Sequence, residues 1–129
     1  MVAVDTNIIV RLLTRDDENQ FQRALAVFEK ETIFIPDTVF LETEWVLRFA
    51  YNFSPTEING AFRKLLGLPN VEVSDVEAII NALEWQATGL DFADALHLAK
   101  STIAKKFLTF DLKFIKKAKG LSHLKVESP

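Results

Sequence analysis

The sequence predicts an α/β fold built on a mostly parallel sheet, and three observations predict it. Short, β-rich apolar runs recur at 2–4, 32–35, 71–73, 107–110 and 124–126. Longer stretches with helical apolar spacing separate them, so each strand returns through a helical crossover, as parallel pairing requires. Helix-start signals stand at the joins, at Ser54 and Ser74 above all.

In order along the chain, Val2-Ala3-Val4 reads as a buried strand. Asp5-Thr6-Asn7 breaks it, and a short helix over 8–14 follows. Over 17–30, Phe21, Ala24, Leu25 and Phe28 recur on one helix face. The strand at 32–35 stops at Pro36. Residues 38–51 are almost continuously apolar apart from Glu42, Glu44 and Arg48, which predicts a largely buried helix with Trp45 in the core. Ser54-Pro55-Thr56-Glu57 is a capping box with Pro at the first helical position. Ile58, Ala61, Phe62, Leu65 and Leu66 then form one stripe. Ser74-Asp75-Val76-Glu77 repeats the capping-box pattern ahead of a stripe at Val76, Ile79, Ile80, Leu83 and Ala87, closed by Gly89. Asp91 caps a helix that turns Phe92, Ala95, Leu96, Ala99 and Ile103 inward. The strand at 107–110 ends in Asp111, and a short basic helix over 112–119 precedes the strand at 124–126. With no internal repeat or linker, the 129 residues read as a single domain.

Composition narrows the function. Hydrophobic residues make up 49% and charged residues 26%, the balance of an ordinary globular protein. The absence of Cys excludes disulfide frameworks, thiolate metal sites and a cysteine nucleophile. Two His cannot supply a three-histidine metal site. No apolar run approaches the roughly 20 residues of a transmembrane helix, and no basic stretch precedes an apolar one near Met1. The expectation is a cytoplasmic protein with no membrane partner. A net charge of −3 argues against coating nucleic acid by charge alone. Four Gly leave no phosphate-cradling loop or dinucleotide fingerprint.

Chemistry is therefore left to carboxylates. Asp5 and Asp111 each end a strand, and if those strands are parallel and adjacent both acids share the carboxyl edge of the sheet. Taken singly, each is explained as a helix N-cap. Glu42 lies in an apolar helix, where its charge needs a partner such as Arg48 or Arg11, whereas Glu44 is expected at solvent or an interface. Asp91 and Asp94 stand three apart at a helix start, as N-cap and third helical residue. His97, three residues after Asp94, offers a base or ligand, but reads rather as a polar helix or interface histidine outside the site. As a set, these acids lie at element junctions with no cations interleaved. An all-oxygen set suits a hard cation such as Mg²⁺ or Mn²⁺, and metal-assisted phosphoryl hydrolysis follows as the matching chemistry. Lys113, Lys116, Lys117 and Lys119 follow Asp111 as a basic face, either solvated or guiding a phosphate backbone.

Four segments carry a family resemblance. Val4-Asp5-Thr6-Asn7-Ile8-Ile9-Val10-Arg11-Leu12-Leu13 resembles the opening motif of PIN-domain ribonucleases, and more narrowly of VapC-like toxins of prokaryotic toxin–antitoxin pairs. Ile35-Pro36 leading to Leu41-Glu42, the stretch from Asp91 through Asp94 to His97, and Leu108-Thr109-Phe110-Asp111 agree in order. The resemblance implies a three-layer α/β/α fold and one or two Mg²⁺ or Mn²⁺ ions held by Asp5, Glu42, Asp94 and Asp111. It implies support from Thr6, Asn7, Asp91 and Thr109, RNA as substrate, a homodimer, and inhibition by a small antitoxin. Two competing readings are a receiver-type signalling domain and a non-catalytic RNA- or protein-binding module. The receiver pattern lacks its paired acid after the first strand and its late Lys here. The non-catalytic reading runs against the full set of acids.

Overall fold

The computed structural model describes residues 1–129, with seven helices and five short strands in mixed α/β order, all paired strands running parallel. The α/β class with parallel pairing is as expected. The chain forms two compact units, Met1–Ser74 and Asp75–Pro129.

In the first unit, β1 (Val2–Ala3), β2 (Ile33–Phe34) and β3 (Val71–Glu72) form a sheet in the order β1-β2-β3. Val2 pairs with Ile33, and Ile33 with Val71, so the central strand is flanked on both sides. Ile33 and Ile35 are accordingly fully buried, as apolar side chains of a central parallel strand must be. Two crossovers connect the strands, each of two helices: α1 (Thr6–Thr14) and α2 (Glu18–Lys30), then α3 (Asp37–Ala50) and α4 (Pro55–Leu66). Asn70 fixes the entry to β3 by donating its side-chain N–H groups to the carbonyls of Phe28 and Glu31, at 2.6 and 2.8 Å. Between α1 and α2, Arg15 adopts a left-handed φ of 53°. Its guanidinium forks onto Glu18 with two bonds of 2.9 Å and holds that carboxyl down at about 2.

The box at Ser54 forms as expected. Ser54 Oγ accepts from the Glu57 N–H at 3.1 Å, and Glu57 Oε1 accepts from the Ser54 N–H at 2.9 Å. Ser54→Ala removes one arm of the box, and urea unfolding is expected to show a loss of about 1 kcal/mol.

The second unit holds α5 (Val76–Ala87), α6 (Phe92–Ala99), β4 (Lys106–Leu108), α7 (Leu112–Ala118) and β5 (Lys125–Glu127). Helices α5 and α6 pack closely, and β4-α7-β5 is one parallel crossover in register Phe107 to Val126. Three expectations are corrected here. Asp75, not Ser74, is the N-cap of α5, its side chain accepting from the Ala78 N–H at 3.0 Å, so Val76 falls at the helix start and is exposed. Helix α6 ends at Ala99, which leaves Ile103 in the following turns and fully exposed rather than inward. The strands that lead to Asp5 and Asp111 belong to separate hydrogen-bonded sheets, where one sheet was expected.

Candidate active site

In the first unit, β1 leads through Val4 to Asp5, and α1 starts one residue later at Thr6 instead of near Ile8. Asp5 is the reason: its extended backbone places Oδ1 to accept the Thr6 N–H at 2.7 Å. Strand β2 likewise leads through Pro36 into α3, which carries Glu42. Both acids therefore stand near the carboxyl ends of parallel strands, where open α/β sheets bind ligands.

The buried Thr6 Oγ1 donates to Glu42 Oε1. This hydroxyl, rather than Arg48 or Arg11, is the partner Glu42 was expected to need. Asp5, Thr6, Asn7 and Glu42 line one cavity of about 360 Å³, together with Arg11 and Tyr51. Arg11 enters it already engaged: Nε donates to Gln20 at 2.6 Å, and Nη1 lies 3.3 Å from both Tyr51 Oη and Asp16 Oδ1. Tyr51 in turn donates to Asp16 Oδ2 at 2.6 Å. Arg11, considered above as a partner for Glu42, does reach this cavity, whereas nothing in the sequence placed Tyr51 beside the acids.

The two glutamates of α3 exchange the roles expected of them. Glu42 is exposed, and Glu44 is only 3% exposed, gripped by Arg48 through Nε–Oε2 and Nη2–Oε1 contacts of 2.9 and 3.0 Å. Two residues along a helix turn a side chain to nearly the opposite face. The exposed face is the one that also carries Trp45 and Phe49, each 58% exposed, so Trp45 is not core.

In the second unit, Asp91, Asp94 and Asp111 are again placed by helix starts. Asp91 Oδ1 caps α6, accepting from the Ala93 and Asp94 N–H groups at 3.0 and 3.2 Å. Asp111 Oδ1 caps α7 through Lys113 and Phe114 N–H groups at 3.0 and 3.1 Å. Thr109 shapes the turn before it, its Oγ1 accepting the Asp111 N–H at 3.0 Å. Asp94, half-buried at the third position of α6, has its carboxyl raised above the ordinary value, first by burial and then by the charges of Asp91 and Asp111. His97 one turn on acts in the opposite sense.

The donor chemistry suits a hard divalent cation: every candidate ligand is a carboxylate, and the cap bonds of Asp5 and Asp111 use Oδ1 alone. The arrangement is not a preformed cage, because no three His, Cys, Asp or Glu side chains are gathered closely enough to hold a metal ion. Each acid is instead held by its own helix start or hydroxyl partner. No helix is long and apolar enough to cross a membrane.

The family model described as PIN domain matches residues 2–120, a span that includes every residue discussed above as a site. No curated protein matches the chain.

Proposed function

Since the chain belongs to the PIN-domain family, whose members are generally metal-dependent nucleases, we propose that it is an endoribonuclease dependent on Mg²⁺ or Mn²⁺. The observation that carries this reading is the family match over residues 2–120, which spans Asp5, Glu42, Asp94 and Asp111. In this reading those four acids hold one or two cations, and residues 1–129 act as one nuclease domain. The narrower resemblance of the segment from Val4 to Leu13 supports a cytoplasmic toxin that works as a homodimer and is restrained by a small antitoxin.

A bound divalent cation supplies charge that stabilises the phosphate's added negative charge and lowers the pKa of water. The chain's own residues orient and hold. Thr6 fixes Glu42 through Oε1, so that the other carboxylate oxygen points away from the hydroxyl bond. Thr109 and the start of α7 set the rotation of Asp111. Asp91 anchors the first turn of α6 and so the backbone position of Asp94. Asn7 lines the same cavity as Asp5 and Glu42, where its amide is available to a phosphate or sugar.

The test is incubation of the purified protein with a pool of transfer and ribosomal RNA, in Mg²⁺, in Mn²⁺ and in excess EDTA. Fragments are expected with either metal and none with EDTA. Glu42→Gln keeps the shape and an acceptor for Thr6, and is expected to cut at least about 100-fold more slowly, since even groups behind a metal ligand are commonly worth 10- to 100-fold. Cleavage that persists in EDTA, or at full rate in Glu42→Gln, overturns the reading.

A further inference from the structure

Around Asp111 the chain exposes side chains that neither the fold nor the acids account for. Phe110 is 82% exposed, Leu112 is 75% and Leu108 is 49%. Phe107 in β4, by contrast, turns inward and sets its ring 5.3 Å from that of the buried Phe114, whereas Phe110, in the bend after the strand, is left in water. Lysines flank Phe110 in sequence. Between Lys105 and Lys119 six lysines stand against one acid, Asp111, in a chain whose net charge is −3.

The lysines divide by partner. Lys106 and Lys125 both bind Glu127, at 3.0 and 3.1 Å, and Lys117 donates to the Gly89 carbonyl at 3.1 Å. Lys113 and Lys116 make no such contact. Because α7 turns Phe114 and Ala118 inward, Lys113 and Lys116 stand on its outward face, within two turns of Phe110.

Resting on the nuclease reading above, we propose that Phe110, Lys113 and Lys116 form a binding surface for single-stranded RNA. Phe110 stacks on an unpaired base, and the two lysines take phosphates of the same strand. An exposed aromatic ring stacks on any base whose face is free, and in a duplex those faces are already covered. Cores of protein–protein interfaces are depleted of lysine, which favours a polyanion here over a protein partner. The surface also adjoins Asp111, so a strand held there passes a proposed ligand of the cation.

Binding is measured by fluorescence anisotropy in EDTA, which stops metal-dependent cleavage, with labelled oligouridylate, oligoadenylate and an RNA duplex of equal length. The single strands are expected to bind more tightly than the duplex. Phe110→Ala is expected to bind them about tenfold more weakly with an unchanged melting temperature. In Lys113→Gln/Lys116→Gln, the slope of log affinity against log salt is expected to fall by about 1.4, for two lost phosphate contacts. Wild-type affinity in Phe110→Ala, an unchanged slope in the lysine variant, or equal affinity for duplex overturns the proposal. So does a Phe110→Ala protein that loses self-association in sedimentation while keeping RNA affinity, which makes the patch a protein contact. The nuclease reading fails separately, if the wild-type protein binds these strands but cuts no RNA when Mg²⁺ or Mn²⁺ is restored.

Discussion

Asp94→Asn is expected to reduce metal-dependent cleavage by at least about 100-fold and, in EDTA at pH 7, to raise the melting temperature. The two effects share a cause. Asp94 is half-buried beside Asp91 and Asp111, and burial followed by those two charges raises its carboxyl above the ordinary value. The folded protein therefore binds this proton more tightly than the unfolded chain does. Stability from this group falls as pH rises from the ordinary carboxylate value through the raised one. The penalty is complete at neutral pH and absent in acid. An acid at the third helical position gains something from the helix dipole, about 0.3–1 kcal/mol at exposed sites. Burial and the charges of Asp91 and Asp111 act against that gain. Asparagine removes the charge and keeps the shape. Calorimetry in EDTA should show the variant's advantage at pH 7 and its disappearance below about pH 4. A variant that melts lower at pH 7 contradicts the electrostatic account, and one that cleaves at the wild-type rate removes Asp94 from the proposed ligands.

Helix starts were the most legible part of the site. Asp5, Asp91 and Asp111 all cap as their sequence positions suggested, because capping is decided by a side chain and the next three backbone N–H groups. The same local logic found the box at Ser54 and missed by one residue at Ser74, where two cap-forming residues stand side by side and Asp75 takes the position. What depended on packing was less legible. On α3 the apolar neighbours of Glu42 implied burial, yet Trp45 and Phe49 lie on an exposed face, and it is Glu44 that the fold encloses with Arg48. The Thr6–Glu42 bond joins residues of different helices, and no spacing rule connects them. Ile103 looked like one more inward position of a regular stripe, but the stripe outlasts the helix that would give it meaning. Local chemistry thus placed individual acids, whereas burial and partnership awaited the tertiary arrangement.

Phe62→Ala and Trp45→Asp are expected to separate folding from association, although both replace a large aromatic residue on neighbouring helices. Phe62 is fully buried on α4, with its ring edge-on to that of Phe40 at 5.2 Å, and Phe40 is itself 1% exposed. Removing such a ring costs the transfer free energy and leaves a cavity, about 3–5 kcal/mol together. Against the 5–15 kcal/mol typical of a whole domain, that is a large share. Urea unfolding of Phe62→Ala should show a much lower midpoint, and a change under 1 kcal/mol would mean the core closes around the loss. Trp45 presents the contrary case. It is 58% exposed, touches Phe49 at 5.2 Å, and Arg48 covers the other aromatic ring at 4.6 Å. Little folding energy depends on it, so Trp45→Asp should melt near the wild-type temperature. If the proposed homodimer uses this face of α3, the same variant should sediment as a monomer, because a carboxylate buried at an apolar contact without a partner is costly. A dimer that survives Trp45→Asp places the contact elsewhere, and loss of folding in that variant shows that Trp45 carries more of the core than its exposure indicates.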